Sequence, residues 1–343
     1  MRRPSNPIGI GWAGPTILYA GTEEQKDAHL FGMLSGEDTW CQLFSEPGAG
    51  SDLANLATRA ERDGDEWVVN GQKIWTSLAQ FSKFGILIAR TDPTAPKHKG
   101  ITYFICPMDL PGIEIRPIIE MTGGHTFNEV FLTDVRLPAS AVVGDVHDGW
   151  RLAKVTLGNE RVSLSGGGAL WGNGPSWDDL LQIVRDGGGT SDPHLRQRLA
   201  RLHIEAEVLR LIRLRTVTAA IKGEPPGPEA SVRKVLADEH GQHLMAMAKD
   251  LEGAAAMLSG PRLPAGEGGR ESVLAAGSSR WADPATWHYG YLFSQALTIG
   301  GGTGDVQRNI IAERVLGLPH DLDVEAGLTW SEARTRNPHA TPA

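Results

Sequence analysis

Cysteine is nearly absent: the 343 residues contain two, Cys41 and Cys106. Two thiols exclude a disulfide-stapled secreted fold and a cysteine-rich metal centre. Both lie in apolar runs and read as buried thiols of a reducing compartment. Long apolar runs are missing as well. None reaches the ~18 residues that mark a transmembrane helix. The opening Met1-Arg2-Arg3-Pro4-Ser5-Asn6 lacks the apolar core of a signal peptide, so a cytoplasmic location is expected. Positive charge is in deficit, with a net charge of −8, which argues against a nucleic-acid protein. Internal repeats are absent. What remains is a globular composition, 41% hydrophobic and 22% charged, long enough to form two or three domains.

The chain is organised around Trp40-Cys41-Gln42-Leu43-Phe44-Ser45-Glu46-Pro47-Gly48-Ala49-Gly50-Ser51-Asp52. An apolar run able to form a buried strand ends in proline, glycine and small hydroxyls. Glycine permits close backbone approach to a ligand, and Pro47 fixes the turn. Such a loop offers N–H groups and hydroxyls to a polar, planar or anionic ligand. Taken alone, such a strand exit is more often only a tight turn.

Three regions follow in order: a residual helical segment over 1–36, a β-domain over 37–146 and a helical bundle over 147–343. Thr22-Glu23-Glu24-Gln25 is a capping box that opens a helix to about Leu34, after a Pro/Gly-rich coil. Arg62-Asp63-Gly64-Asp65 is a hairpin signal. Glu66–Gly71, Phe84–Ala89, Ile101–Cys106 and Val130–Val135 read as strands of a compact barrel or sandwich. A helix spans Gly149 to about Leu164, ending in Gly166-Gly167-Gly168. Gly187-Gly188-Gly189 reads as a loop. Asp192-Pro193 reads as N-cap and first turn of a helix with Leu195, Leu199, Leu202, Ala206 and Leu209 on one face. Its arginines mostly lie elsewhere and suit a solvated or anion-facing side better than a nucleic-acid stripe. After the break at Pro225-Pro226-Gly227-Pro228, another helix carries Val232, Leu236, Leu244, Met247 and Leu251. Gly260 to Gly277 reads as loop. A last helix starts after Gly300-Gly301-Gly302-Thr303. Three long helices suggest an antiparallel bundle.

Glu160 is the most informative side chain. It shares a helix face with Ala153, Leu157 and Leu164. Its neighbours one turn away, Thr156, Leu157, Ser163 and Leu164, offer no cation. A buried, unpaired carboxylate has a raised pKa and can act as a base near neutral pH. A bundle-edge Glu reaching a distant arginine is the plainer alternative. Gly300 to Thr303 is a glycine-rich helix entry, whose N–H groups can hold a phosphate or an oxyanion.

The Trp40–Asp52 stretch, Gly71-Gln72-Lys73-Ile74-Trp75-Thr76-Ser77 and Gly301-Gly302-Thr303-Gly304-Asp305-Val306-Gln307-Arg308-Asn309-Ile310-Ile311-Ala312-Glu313-Arg314 together resemble the acyl-CoA dehydrogenase family, in its order and at about its spacing. The resemblance is patchy between Gly172 and Arg280. It implies an α+β fold with a truncated N-terminal helical part, a central β-barrel or sandwich and a C-terminal antiparallel helical bundle. It implies FAD as cofactor. Ser45, Ser51 and Ser77 would contact the flavin ring, with Ser77 donating near N5, and Gly50 would belong to the same loop. Trp75 would lie against the ring edge, and Phe44 and Ser45 would offer backbone groups to its pyrimidine end. Thr303 and Asp305 would belong to the turn that touches the flavin, and the Gly301 N–H would bind the thioester carbonyl. Most members carry their base where Gly301 stands; a minority carry it on the helix after the β-domain, before an Arg. Glu160-Arg161 matches the minority.

Two family segments are missing. Arg185-Asp186-Gly187-Gly188-Gly189 stands near the place of an Arg-x-x-Phe-Gly, and Leu251-Glu252-Gly253-Ala254-Ala255-Ala256 replaces a Gln-x-x-Gly-Gly. These normally grip the adenosine half of FAD across a subunit interface. The several further N-terminal helices with which the family begins are also absent. The resemblance therefore implies an acyl-CoA dehydrogenase acting on a bulky or branched acyl-CoA and passing electrons to an electron-transfer flavoprotein. It would assemble as a homo- or hetero-oligomer with a second acyl-CoA dehydrogenase-like chain. A non-catalytic scaffold subunit and an oxygen-reactive oxidase are the rival readings.

Overall fold

The computed structural model describes residues 6–164, 169–171, 174–187, 191–224, 227–253 and 284–336. Backbone contacts group it into two compact units, one of residues 1–120, 125–160 and 321–343, the other of residues 121–124 and 161–320.

The start of the first unit is not the coil expected from its proline and glycine. Residues before Thr22 are helical, a π-turn over Gly9–Ala13 running into α1, Gly14–Ala20. Ile8, Trp12, Ala13, Thr16 and Ile17 recur at helical spacing and are buried. Pro15 sits in the first turn of α1, where a missing N–H costs nothing. Asn6 ties this segment down, donating to Met33 O and Asp38 O and accepting from the N–H of Gly9 and Trp40. The capping box forms as expected, with α2 over Glu23–Ser35.

The strands are β1 (Trp40–Leu43), β2 (Arg59–Asp63), β3 (Glu66–Ser77), β4 (Phe84–Arg90), β5 (Ile101–Pro107), β6 (Ile113–Pro117) and β7 (Phe127–Pro138). They form one mixed sheet in the order β1-β4-β2-β3-β7-β6, with β5 also on β4. β1 and β2 run parallel to β4 and meet it one after the other, at Trp40–Leu43 and at Arg59. Two irregularities interrupt the β3–β7 ladder. Lys73 pairs with Val130 and Thr76 with Asn128, so β3 carries one extra residue between them. The core gathers Leu43, Trp67, Leu87, Phe104, Val130 and Leu137. α3 (Gly149–Leu164) follows; residues 321–336, with α9 (Trp330–Arg336), also belong to this unit.

The second unit holds α4 (Trp177–Asp186), α5 (Pro193–Ile221), α6 (Ala230–Glu252), α7 (Pro284–Ser294) and α8 (Gly304–Ile310). The Asp192 side chain caps α5 through the His194 N–H, with Pro193 in its first turn. Glu205 meets His240 and His243, while Arg198 pairs with Asp250. Contacts that rise along one helix as they fall along the other make α5 and α6 antiparallel. Leu199 and Leu202 are buried as the periodicity requires. α6 departs from expectation: its buried side includes Arg233, Lys234, Asp238 and His240 beside Leu244 and Met247, whereas Leu251 is exposed. Gly166-Gly167-Gly168, Gly188-Gly189, Pro225-Pro226, Ala254-Ala255-Ala256 and Gly260 to Gly277 lie outside the described residues. No described helix is long and apolar enough to cross a membrane.

Candidate active site

In the first unit, the site is built where β1 leaves the sheet. Glu46 and Ala49 exchange two backbone hydrogen bonds and close the turn over Pro47-Gly48. Beneath this turn lies a charged pair that sequence reasoning missed. Lys73 is fully buried, and its ammonium group donates to Glu46 Oε1 (2.8 Å), Phe44 O (3.0 Å) and Ile88 O (2.9 Å). Three acceptors saturate an ammonium. The Glu46 carboxylate also accepts from the N–H of Ala57 (2.6 Å) and Thr58 (2.9 Å). One ion pair thus joins the loop, β3, β4 and the 57–58 segment. Burial pushes the Glu46 carboxyl up, but Lys73 and these two amides hold it below its ordinary value. Burial lowers the Lys73 ammonium, with Glu46 opposing. Alternation along β3 could have found it: Lys73 falls on the face of Trp67 and Val69, both buried.

The Phe44 carbonyl is taken by Lys73 and the Ser45 carbonyl by the Ile74 N–H at 2.9 Å. Ser45 is half-buried, while Gly50 and Ser51 are exposed. A Cβ added at Gly50 would meet nothing, so the loop is open on that side. The extra residue of β3 re-aims Trp75, as bulges do. Trp75 has φ +60° and is 58% exposed, with its ring edge-on to Phe127 at 6.2 Å. Ser77 ends β3, half-buried, opposite Phe127.

Glu160 is buried on α3. The expectation of an unpaired carboxylate is corrected: Gln42 of β1 donates from Nε2 to Glu160 Oε2 at 3.3 Å. This amide is neutral and comes from another element, which intrahelical spacing cannot reveal. One turn earlier, Thr156 bonds Thr16 (2.8 Å) and Tyr103 (3.0 Å), and the Tyr103 ring stands edge-on to Phe44. The first unit therefore brings Glu160 to β1, which leads into Phe44 and Ser45, and the Ser45–Ile74 bond ties that exit to β3, whose end carries Trp75 and Ser77.

Gly301, Thr303 and Asp305 belong to the second unit. Thr303 caps α8 through the Val306 N–H. Gly301 has φ +66°, and its carbonyl accepts from Gln307 Nε2 at 3.2 Å. α6 braces the preceding turn, with Lys234 on Leu297 O and Gln242 on Ser294 O. Asp305 is exposed and lies 3.5 Å from Arg308. No metal-binding cluster of His, Cys, Asp or Glu exists among the described residues.

Residues 41–135 match the family model "Acyl-CoA dehydrogenase, middle domain", and residues 147–316 match "Acyl-CoA dehydrogenase, C-terminal domain". The chain is 42% identical over 319 residues to acyl-CoA dehydrogenase FadE34 of Mycobacterium tuberculosis, covering 93% of this chain but 40% of that protein. Among solved structures, a "Tcur3481-Tcur3483 steroid ACAD" is 34% identical with a TM-score of 0.77, covering 92% of this chain and 77% of that one. The ChsE4-ChsE5 complex of Mycobacterium tuberculosis is 33% identical with a TM-score of 0.73, covering 92% and 78%.

Proposed function

The chain belongs to the acyl-CoA dehydrogenase family of flavoprotein oxidoreductases, and on that premise we propose that it dehydrogenates a CoA thioester with Glu160 as base. The observation that carries this reading is a buried carboxylate held by a neutral amide on the strand that leads into Phe44 and Ser45. A carboxyl group so placed is the candidate to take the proton.

The residues fit a flavin. An outward-turned indole beside half-buried and exposed serine hydroxyls suits a planar, hydrogen-bonding ring. Ser45, Gly50, Ser51, Trp75 and Ser77 would hold it. Bound flavin supplies a two-electron acceptor for the β-hydride. Glu160 removes the α-proton: the C–H bond breaks, an O–H bond forms on the carboxyl, and the electron pair enters the new double bond. The Lys73–Glu46 pair fixes the loop that presents Ser45, so alignment is built in before substrate arrives.

A polycyclic acyl group is the substrate class favoured here, because the related solved enzyme is named a steroid ACAD and Gly301 carries no side chain. Assembly with a second chain of the family is proposed from the ChsE4-ChsE5 complex and from Leu18, Tyr19, Phe31 and Leu34, which leave apolar surface exposed on α1 and α2. An electron-transfer flavoprotein is the proposed acceptor. Glu160→Gln should cut single-turnover flavin bleaching by at least ~10²-fold with flavin still bound. Near-normal bleaching ends the assignment. Light scattering of the chain alone and co-expressed with its genomic neighbour tests assembly; an active, flavin-saturated homo-oligomer rejects a required partner.

A further inference from the structure

We infer that Gln42 is the positioning residue for the Glu160 base: its side-chain amide holds the carboxyl group in either protonation state, donating through Nε2 to the carboxylate and accepting through Oε1 from the acid. This rests on the Glu160 assignment above.

The first observation is a broken pattern. Along β1, Cys41 and Leu43 enter the sheet core. Trp40, Gln42 and Phe44 alternate with them onto the other face, where Trp40 and Phe44 are each 2% exposed. A polar residue between two buried aromatics violates local patterning, as functional sites do. The second observation is register. A two-residue step on a strand covers about 6.6 Å and a four-residue step on a helix about 6 Å. Phe44 reaches the level of Thr156 through Tyr103, and Gln42 reaches the level of Glu160. The Thr16–Thr156–Tyr103 hydroxyl contacts pin α3 one turn before the base, so Gln42 meets Glu160 across a fixed gap.

The third observation is the amide itself. Gln42 Oε1 is buried and has no hydrogen-bond partner among the described residues. A primary amide has a donor end and an acceptor end. While Glu160 is ionised, Nε2 serves it. Once Glu160 holds the substrate proton it becomes a donor, and turning the amide over presents Oε1. A lysine or arginine at position 42 would hold the carboxylate too firmly to take a proton, and an aliphatic residue would withdraw one of its hydrogen bonds. The ionisable groups of the surrounding elements are few apart from the basic residues of α3 itself. The π-turn and α1 carry only the Tyr19 phenol; β5 brings the buried Tyr103, bonded to Thr156, and Cys106. On β1 the titratable Cys41 lies on the opposite face, and α3 itself adds Arg151, Lys154 and the adjoining Arg161.

The test is carbon-13 NMR of glutamate-labelled flavoprotein across pH, with Glu160→Gln assigning the resonance, beside single-turnover flavin bleaching by an acyl-CoA the wild type oxidises. Gln42→Leu should raise the Glu160 titration by about one pH unit and slow bleaching at pH 7 tenfold or more, with thioester affinity and flavin content kept. Gln42→Met, which preserves the unbranched stem, should do the same. A Gln42 variant with unmoved titration and unmoved rate overturns the inference, while Glu160→Gln would still stop bleaching. Should Glu160→Gln bleach normally, the base assignment itself falls.

Discussion

Among the described residues, each unit buries a lysine–carboxylate pair, and the two differ in a way that separates a fixed charge from a titrating one. Lys73 and Glu46 lie under the loop of the first unit, and Lys234 and Asp238 lie one turn apart on α6 of the second. Glu46 has two backbone N–H groups besides its lysine and stays below its ordinary value despite burial. Burial pushes Asp238 up to about 6, and Lys234 offsets only part of that. Hydrogen bonds to the charged form, rather than the counter-ion alone, decide whether a buried carboxylate holds its charge.

Removing each lysine is the largest test of this contrast. Lys73→Met strands a carboxylate that two amides keep ionised, at a cost of about 3–5 kcal/mol. The loop over it should loosen, and flavin content should fall. Lys234→Met strands Asp238, which takes up a proton at pH 5.5 and limits the loss to ~1–2 kcal/mol. Native-state hydrogen exchange reads each unit separately. Equal losses at pH 5.5 would break the comparison.

A pH difference comes next. Asp238 has a folded value of about 6 against an ordinary 3.8. A raised value means that its contribution is full below 3.8 and is lost as pH rises through 6. That amounts to about 3 kcal/mol between pH 3 and 7. Glu46 is lowered, so its contribution is present above its ordinary 4.5 and is lost as pH falls through its folded value. Protection of the second unit in wild type relative to Asp238→Asn should therefore decline on raising pH from 4 to 7. Protection of the first relative to Glu46→Gln should decline only on acidification. A single shared pH profile for both differences contradicts the assignment.

Much of this architecture was legible because it is written locally. Thr22, Asp192 and Thr303 cap helices through their own side chains and nearest N–H groups, so their positions in sequence suffice. The expected strands and the start of α3 follow from short-range pattern. What escaped notice depends on partners far along the chain. β2 exposes four of its five residues and β6 all of its own in part or whole, so neither has an apolar run. α1 looked like coil because glycine and proline crowd its first turn. Lys73 and Lys234 drew no reading, since their acceptors at Glu46, Phe44, Ile88 and Leu297 lie far along the chain. At the candidate site, the outline was legible in the loop, the Trp75 strand and Glu160; the supports Lys73, Glu46 and Gln42 were not, although all three stand inside the Trp40–Asp52 and Gly71–Ser77 stretches.

The smallest effect separates two residues that share a positive φ. Trp75 has φ +60° and Gly301 φ +66°, one in each unit. The left-handed region costs an L-residue roughly 1–2 kcal/mol and costs glycine nothing. Gly301→Ala should therefore destabilise the second unit by about 1 kcal/mol. Trp75→Gly runs the other way at the backbone. It relieves the left-handed strain but adds about 0.5–1 kcal/mol of chain entropy to lose on folding. The indole is 58% exposed, so little packing goes with it. The terms nearly cancel, and stability should stay within ~0.5 kcal/mol of wild type. Trp40, 2% exposed, gives the contrast: Trp40→Ala should cost about 3–5 kcal/mol. A strained, exposed tryptophan that stability does not need is maintained for what it touches. Flavin affinity, read by titrating apoprotein fluorescence, should fall tenfold or more in Trp75→Gly. Should Trp75→Gly instead unfold the sheet while flavin titrates normally in the fraction that folds, the indole is packing and the ring site must lie elsewhere.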